Sequence, residues 1–596
     1  MHFLVRYPFF NPTHLFAPFT IASLSRPIGY KWVSWRVFIS LIFATTVAQA
    51  ASLTDADQEL LRQQARERIL RQQQEPTSDV RLERPLVPRD EGRLPLDESP
   101  CFKIERIQLK GEAATQFQWA LASANHGPKG IEDAPIGRCL SSGGIDLIMR
   151  RVQNTIMAKG YVTARILAEP QDLSTNTLTL TLIPGRIRTI RFANGTDTRA
   201  TQWNALPAHP GDLLNLRDIE QGLENFKRLP TAEADIQIAP GEQPGESDIV
   251  IQWKQAFPVR FTLSVDDSGS KSTGKYIGGV TVAVDHLLTL NDLFYLSFNH
   301  DLGSDGPGKN GSRGYSAHYS IPYGYWLLGF TASENTYRQS VAGINQTYLF
   351  SGESQNSEIK LSRLVYRDAV RKTTVSLRGW TRASKNHIDD TEIEIQRRRT
   401  SGWEAGLAHR EFIGAAALDL SLDYRRGTGA MDAKAAPEEA SGDGASRLQL
   451  VTAETQLSLP FTLGTQALRY SIAGRAQWNR TPLVPQDRFA IGGRYTVRGF
   501  DGENSLSADR GWLIRNELDW YIGHSGHAIY LGLDYGEVGG RASANLIGTR
   551  LAGAVLGLRG RYKTLNYDIF VGQPITKPEG FRTANTAAGF NFNWSF

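Results

Sequence analysis

The chain has 596 residues, 41% of them hydrophobic and 10% aromatic, with 56 glycines and a formal charge of +5, and its mean hydropathy is −0.32. It is too long for one ordinary domain and too polar for a bundle of membrane helices, but it suits a β-barrel. Arg6, Arg26, Lys31 and Arg36 are the only charged side chains before residue 51, and removing those four from +5 leaves +1; a near-neutral remainder makes nucleic acid an unexpected partner.

Those four cations precede or open an apolar run over residues 37–47 that ends in Ala48-Gln49-Ala50. The pattern predicts a secretory signal over residues 1–50, cleaved after Ala50. The run is about 11 residues long, short of the ~20 that a spanning helix needs. Residues 51–75 predict a charged helix: Thr54 and Asp57 have capping-box-like spacing, and Glu67 lies four residues before Arg71. Leu60, Leu61, Ile69 and Leu70 form only a thin apolar stripe, so this helix should bridge solvent or sit inside something polar. Residues 76–100 carry Pro76, Pro85, Pro88, Pro95 and Pro100 among many charges, which reads as an extended linker.

Two compact α/β units follow, over residues 101–184 and 185–256. The first predicts a strand over 102–111, helices over 114–125 and 144–159, and a closing hairpin from 161–168 and 176–183. The second repeats that order, with a strand over 186–193, helices near 202–206 and over 217–228, and strands over 234–239 and 247–254. This is a β-α-α-β-β repeat of roughly 75 residues. The only cysteines are Cys101 and Cys139, too few for a disulfide-stapled scaffold or a cysteine-based zinc site. In an oxidising periplasm they are expected to pair and close a loop of roughly 40 residues; two free buried thiols are the alternative.

The repeated order resembles the polypeptide-transport-associated (POTRA) domain. Pro100-Cys101-Phe102, Gly137-Arg138-Cys139-Leu140 and Lys159-Gly160-Tyr161-Val162-Thr163 are similar to the haemolysin and contact-dependent-inhibition branch of two-partner secretion transporters. In that branch the cysteine pair staples the first POTRA domain, and the resemblance identifies the charged helix as a plug that occupies a barrel at rest.

From residue 257 to the end the period changes to two. Val259, Phe261, Leu263 and Val265 alternate with Arg260, Thr262, Ser264 and Asp266, as they would with one face on lipid and one on an aqueous lumen. Brief turns near 288–292, 322–325, 368–371, 413–416, 461–464, 523–526 and 562–565 alternate with polar excursions over 303–313, 386–399, 429–446 and 480–510. The count predicts about 16 strands closing a transmembrane antiparallel barrel, with both ends of the barrel sequence on the periplasmic side. A soluble sandwich with one wet face is the other arrangement that gives such alternation. The stretch Gly269-Ser270-Lys271-Ser272-Thr273-Gly274-Lys275 has the wrong residue order for a phosphate loop and predicts a solvated hairpin.

The excursion over 480–510 is rich in glycine and arginine, so it can fold back into the lumen. Its Gly492-Gly493-Arg494-Tyr495 and Val497-Arg498-Gly499-Phe500 resemble the loop signature shared by barrel-assembly factors and two-partner transporters. A guanidinium drawn out of bulk water requires an anion. By strand phase Glu517, Asp519 and Asp534 all point inward. Gly532-x-Asp534-x-Gly536 is similar to the family's partner motif, so the resemblance selects an Arg498–Asp534 lock. The last strand alternates Phe590, Phe592, Trp594 and Phe596 with Asn591, Asn593 and Ser595. Terminal Phe596 resembles the targeting signal read by the barrel-assembly machinery.

No His-Glu-x-x-His, Gly-x-Ser-x-Gly or Gly-Lys-Ser/Thr phosphate loop occurs, so neither an enzyme nor a bound cofactor or metal is expected. The resemblance spans the whole chain after residue 50. It implies a monomeric outer-membrane transporter that moves a secreted exoprotein with an N-terminal secretion domain, such as a haemolysin, adhesin or contact-dependent toxin, unfolded and without ATP. A barrel-assembly or autotransporter-assembly factor and a passive porin are the alternatives.

Overall fold

The computed structural model describes residues 55–75, 79–82, 92–303 and 310–596. The expected signal over 1–50, the opening of the helical segment with Thr54, and residues 76–78 and 83–91 of the linker lie outside them. Among the described residues, sixteen antiparallel strands from Val259–Asp266 to Ala587–Ser595 close into a barrel, and the two-residue strand Thr391–Glu392 extends one hairpin. Closure pairs every edge, as hydrocarbon requires. First and last strands meet over a short register, from Asn591↔Asp266 to Ser595↔Thr262, and the Phe596 N–H donates to the Phe261 carbonyl at 2.9 Å.

The alternation sorts side chains as a barrel in lipid demands. Phe261, Leu263, Leu531 and Leu533 are exposed outward, while Asp285, Asp519 and Asp534 are buried on the inner side. Tyr323, Trp326, Tyr366, Trp520 and Tyr562 stand exposed at the ends with short turns, and Tyr276, Tyr315, Trp478 and Trp512 toward the other rim. These are the positions that amphipathic rings favour at the two interfaces. All seven predicted brief turns fall between consecutive strands on the side where the α/β units join. One outer connection differs from expectation. Trp326–Ala342 and Thr347–Arg367 have 17 and 21 residues, well beyond the ~9–11 that cross a bilayer. That hairpin therefore projects outward as paired strand and turns tightly at residues 343–346.

In the first α/β unit, Arg106–Gly111 lies parallel to Thr177–Ile183, which pairs antiparallel with Arg165–Leu167. Helix Ser142–Ala158 buries Leu147, Ile148, Val152 and Ile156 against this sheet. The predicted strand over 102–111 is broken: Phe102–Lys103 instead pairs with Cys139–Leu140. The Cys101–Cys139 disulfide closes beside that pairing. Linker residues 92–100 are extended but tied down. The Ser141 and Gly144 N–H groups donate to Glu98 at the start of the helix, at 2.6 and 3.2 Å, an anion where a helix N-terminus favours one. Asp133 accepts from the Leu94 N–H at 2.8 Å and from Arg151 Nη2 at 2.6 Å. Burial alone would raise the Asp133 pKa, but these bonds to Arg151 and Leu94 hold it below the ordinary aspartate value.

The second unit repeats the sheet, with Arg186–Phe192 parallel to Glu246–Gln255 and Ala232–Pro240 antiparallel to it. Its helix Leu216–Lys227 is capped by the Asn215 side chain accepting from the Arg217 N–H. The helix predicted near 202–206 does not form; those residues make a turn. The Asn204 carbonyl accepts from the Gly324 N–H at 2.8 Å, and its side-chain amide donates to the Pro322 carbonyl at 3.2 Å. Docking onto the barrel's turns takes the backbone groups that a helix would have used. Asn225 and Arg228 add bonds to Gly324, Asn291 and Ser320, and Ala283, Leu293 and Tyr295 of the barrel join the unit's apolar core. Burial raises the pKa of Asp218, which accepts from the Tyr325 hydroxyl at the same junction.

The disulfide spans 38 residues, so removing it with Cys101→Ala and Cys139→Ala is expected to cost the first unit roughly 3–4 kcal/mol. Denaturant titration of the full-length protein should shift the unit's unfolding to lower denaturant and leave the barrel's transition in place. An unshifted first transition would mean that the crosslink carries no stability.

Candidate functional site: the occupied lumen

Helix Asp55–Gln74 threads the barrel, and its bonds to the wall are mostly polar. Glu59 is fully buried and accepts from Arg66 Nη2 at 2.8 Å and Thr273 Oγ1 at 3.0 Å. Arg62 donates to the Gly502 carbonyl at 2.7 Å. Farther along, Glu67 accepts from Asn335 at 2.9 Å, Arg71 pairs with Glu358 at 2.5 Å, and Glu75 meets His318 Nε2 at 2.8 Å. The thin apolar stripe explains this placement: the sequence offers little to bury and many charges to pair. Leu70 packs against the core of the second α/β unit, so the helix touches wall, loop and periplasmic domain.

Segment 269–275 is not a solvated hairpin. Ser270 and Thr273 are buried, Thr273 reaches Glu59 of the helix, and the Lys271 N–H donates to Glu503 of the long loop at 3.2 Å. The occupied lumen gives its small hydroxyls partners that no local pattern could supply.

The loop over 480–510 lies inside the barrel, stiffened by the pairing of Phe489–Ile491 with Leu506–Ala508. At its tip, Arg498 Nε donates to Asp534 Oδ2 at 2.8 Å and Nη2 to Oδ1 at 2.9 Å, and the Arg498 backbone N–H adds a third bond at 2.9 Å. Nη1 goes to Glu517. Strand phase left Glu517, Asp519 and Asp534 as candidates and the resemblance selected Asp534, whereas the fold uses both Asp534 and Glu517. Glu517 also pairs with Arg559 at 2.8 Å, and Asp519 with Arg469 at 2.9 Å. Asp519 therefore belongs to the surrounding network and does not touch Arg498 directly.

The glycines around Asp534 give the clearance for this fit. A Cβ on Gly532 would stand 2.5 Å from Arg498 Nη2, and one on Gly536 would stand 2.9 Å from Val497 Cγ2. Gly499 has φ +99°, and a Cβ there would meet the Gln573 carbonyl at 2.5 Å, so the loop backbone lies flat on the wall where only glycine fits. Val497 is buried among Ile491, Leu513 and Leu551, and Phe500 packs edge-on against Phe581 at 5.8 Å. Gly492 and Gly493 donate to Thr496 Oγ1 at 3.1 Å.

Arg494 acts elsewhere, with Nη1 donating to Asp267 at 2.7 Å and Nη2 to the Phe590 carbonyl at 3.2 Å. Asp267 also accepts from the Phe590 N–H at 2.9 Å. Arg494 thus bridges the short seam between first and last strands. Asp267 was not singled out from the sequence, because it has no motif of its own and gains its role from barrel closure. Tyr495 lies beside Arg494 and lines a recess with the helix residues Gln58 and Leu61.

One cavity of about 960 Å³ continues from Glu224 and Arg228 at the periplasmic mouth, past the helix, to Arg498 and Glu517. Among the described residues no group of His, Cys, Asp or Glu has the arrangement of a metal site.

Comparison with known proteins agrees with this architecture. Residues 245–560 match the family described as haemolysin secretion/activation protein ShlB/FhaC/HecB. Residues 102–185 match the ShlB-type POTRA domain and residues 186–240 a POTRA domain. The outer membrane transporter CdiB-2 of Burkholderia pseudomallei is 39% identical, over 92% of this chain and 95% of that protein. The haemolysin transporter ShlB of Serratia marcescens is 26% identical, over 67% of this chain and 71% of that protein. The solved structure of CdiB from Acinetobacter baumannii superposes with a TM-score of 0.79 at 31% identity, covering 91% of this chain and 98% of that one. With its barrel matched across more than half the sequence and two POTRA domains before it, the chain belongs to the ShlB/FhaC/HecB family of outer-membrane haemolysin secretion/activation transporters.

Proposed function

We propose that this barrel exports one large exoprotein, a haemolysin, adhesin or contact-dependent toxin, which enters unfolded from the periplasm through recognition of its N-terminal secretion domain. The supporting observation is the continuous cavity from the second POTRA helix to the loop tip, filled in part by a helix held through ion pairs and hydrogen bonds. Such contacts exchange readily for water or for another polar chain, so the helix is a removable plug. A passive porin would gain nothing from an occupied lumen. ATP is absent outside the cytoplasm, so net movement is driven by folding of the emerged cargo, which blocks its return. The sheet edge at Ala232–Pro240 suits capture of an extended chain by strand addition. Phe596 closes the last strand and is the terminal aromatic that the barrel-assembly machinery would read during insertion of a monomeric barrel.

Within that reading Arg498 and Asp534 lock the loop against the wall. Breaking a buried pair by removing one partner costs roughly 3–5 kcal/mol because the other charge is left unpaired. Glu517 remains beside Arg498 after loss of Asp534, so Asp534→Ala falls toward the lower end.

Mass spectrometry of culture medium is expected to lose one large protein when this transporter is deleted, with that protein retained in the cells; an unchanged medium would defeat the export reading. Arg498→Ala and Asp534→Ala should each impair secretion, with the double variant no worse than the more severe single, and additive losses would argue against a lock. Deleting residues 51–75 should raise single-channel conductance in planar bilayers several-fold, since a helix about 10–12 Å across leaves the lumen. Equal conductance would mean that the helix does not plug the pore.

A further inference from the structure

Linker residues 79–82 lie in a groove between the helix Leu216–Lys227 of the second POTRA domain and the barrel's periplasmic rim. They are gripped by their backbone. The Val80 N–H donates to Glu224 Oε1 at 2.8 Å and the Leu82 N–H to Glu220 Oε1 at 3.1 Å. From the barrel side, Arg367 Nη2 donates to the Val80 carbonyl at 2.6 Å. The groove is built for this purpose: Glu220 has no exposure and the Arg367 side chain only 2%. Arg367 also donates to Glu220 at 3.1 Å and to Glu224 at 3.0 Å, and Lys372 holds Glu224 from the neighbouring strand. Val80 and Leu82 pack against the POTRA core, while exposed Arg81 lies 3.5 Å over the Phe412 ring. An extended chain with alternate side chains inward, N–H groups on two carboxylates and a carbonyl on a guanidinium is recognised largely by its backbone, with a preference for two apolar residues one apart and for an acid before them, since Asp79 pairs with Lys372 at 2.5 Å.

Resting on the export reading, we propose that Glu220, Glu224 and Arg367 form an entry site for extended polypeptide, and that the chain's own residues 79–82 occupy it as a stand-in for cargo. Two observations join the site to the conduit. Glu224 lines the same cavity that reaches Arg498, so a segment seated here points its continuation into the lumen. The seated linker follows directly on the helix that fills that lumen, so an incoming apolar-x-apolar segment that takes the groove also frees the tether of the plug. The site is sequence-tolerant because three of its bonds, from Glu220, Glu224 and Arg367, are to main-chain atoms, which suits a carrier of a very long chain.

The test uses full-length protein in detergent and a fluorescent peptide of the chain's own residues 78–83, read by anisotropy. Wild-type protein should bind the peptide weakly, because its tethered linker competes at high effective concentration. A variant with Val80→Asp and Leu82→Asp, which unseats the linker beside two carboxylates, should bind it about tenfold more tightly. A peptide N-methylated at the positions of Val80 and Leu82 loses both N–H donors with its side chains intact, and should bind that variant about tenfold or more weakly. Equal affinity for wild type and the unseated variant, or equal affinity of methylated and parent peptides, would overturn the proposal without any change to the protein's fold. Secretion is scored separately: loss of peptide selectivity with wild-type export intact rejects the entry site alone, whereas absence of export by the wild-type strain rejects the transporter reading and leaves the binding result standing.

Discussion

The arrangement of the lumen depends on one buried guanidinium. Arg498 is drawn from water by a loop that doubles back into the barrel, and such a charge is tolerated only with nearly every donor engaged. Asp534 takes Nε, Nη2 and the backbone N–H, and Glu517 takes Nη1. Once the tip is fixed there, Val497 and Phe500 fall into apolar recesses, and Arg494 reaches the seam between first and last strands. The loop thereby presents Gly502 and Glu503 to the helix and to the first outer connection. Clearance glycines at 532, 536 and 553 are the mirror image of this requirement on the wall: on Gly553 a Cβ would stand 1.9 Å from the Arg498 carbonyl.

The two occupants of the lumen are held by different chemistry, and that difference separates their roles. The loop combines its ion pairs with a compact apolar cluster including Phe489, Leu506, Val538 and Phe581. The helix relies mainly on polar contacts spread along its length, from Glu59 to Glu75. The periplasmic end carries the complement: Asn204, Asn225 and Arg228 bond the second POTRA domain to barrel turns, so the groove holding residues 79–82 has two rigid sides.

Much of this was legible in the sequence because the signals are local. Alternation at period two survives in every barrel strand, since one face meets lipid and the other water. Six of the seven brief turns contain glycine, asparagine or aspartate, which permit tight reversal, and the seventh, over 562–565, reverses at Lys563 with φ +53°. The unit order was readable for the same reason, and the cysteine pair because the chain holds only two cysteines. The failures share a cause as well. Residues 202–206 have helical composition, but the barrel turn at Gly324 claims the Asn204 carbonyl. Residues 269–275 are small and polar, as solvated hairpins are, yet the occupied lumen buries them.

By itself, then, the sequence determined the order of the described elements: charged helix, two α/β units and an even-stranded barrel with one re-entrant loop, because burial periodicity and turn chemistry are written along the chain. Tertiary structure alone decided the partners. Whether Arg498 met Asp534, Glu517 or both, that Arg494 would reach Asp267, and that residues 79–82 would lie between Glu224 and Arg367 all depend on barrel closure and domain docking. Those contacts join residues 19 to 287 positions apart, and no periodicity encodes a distance across a lumen.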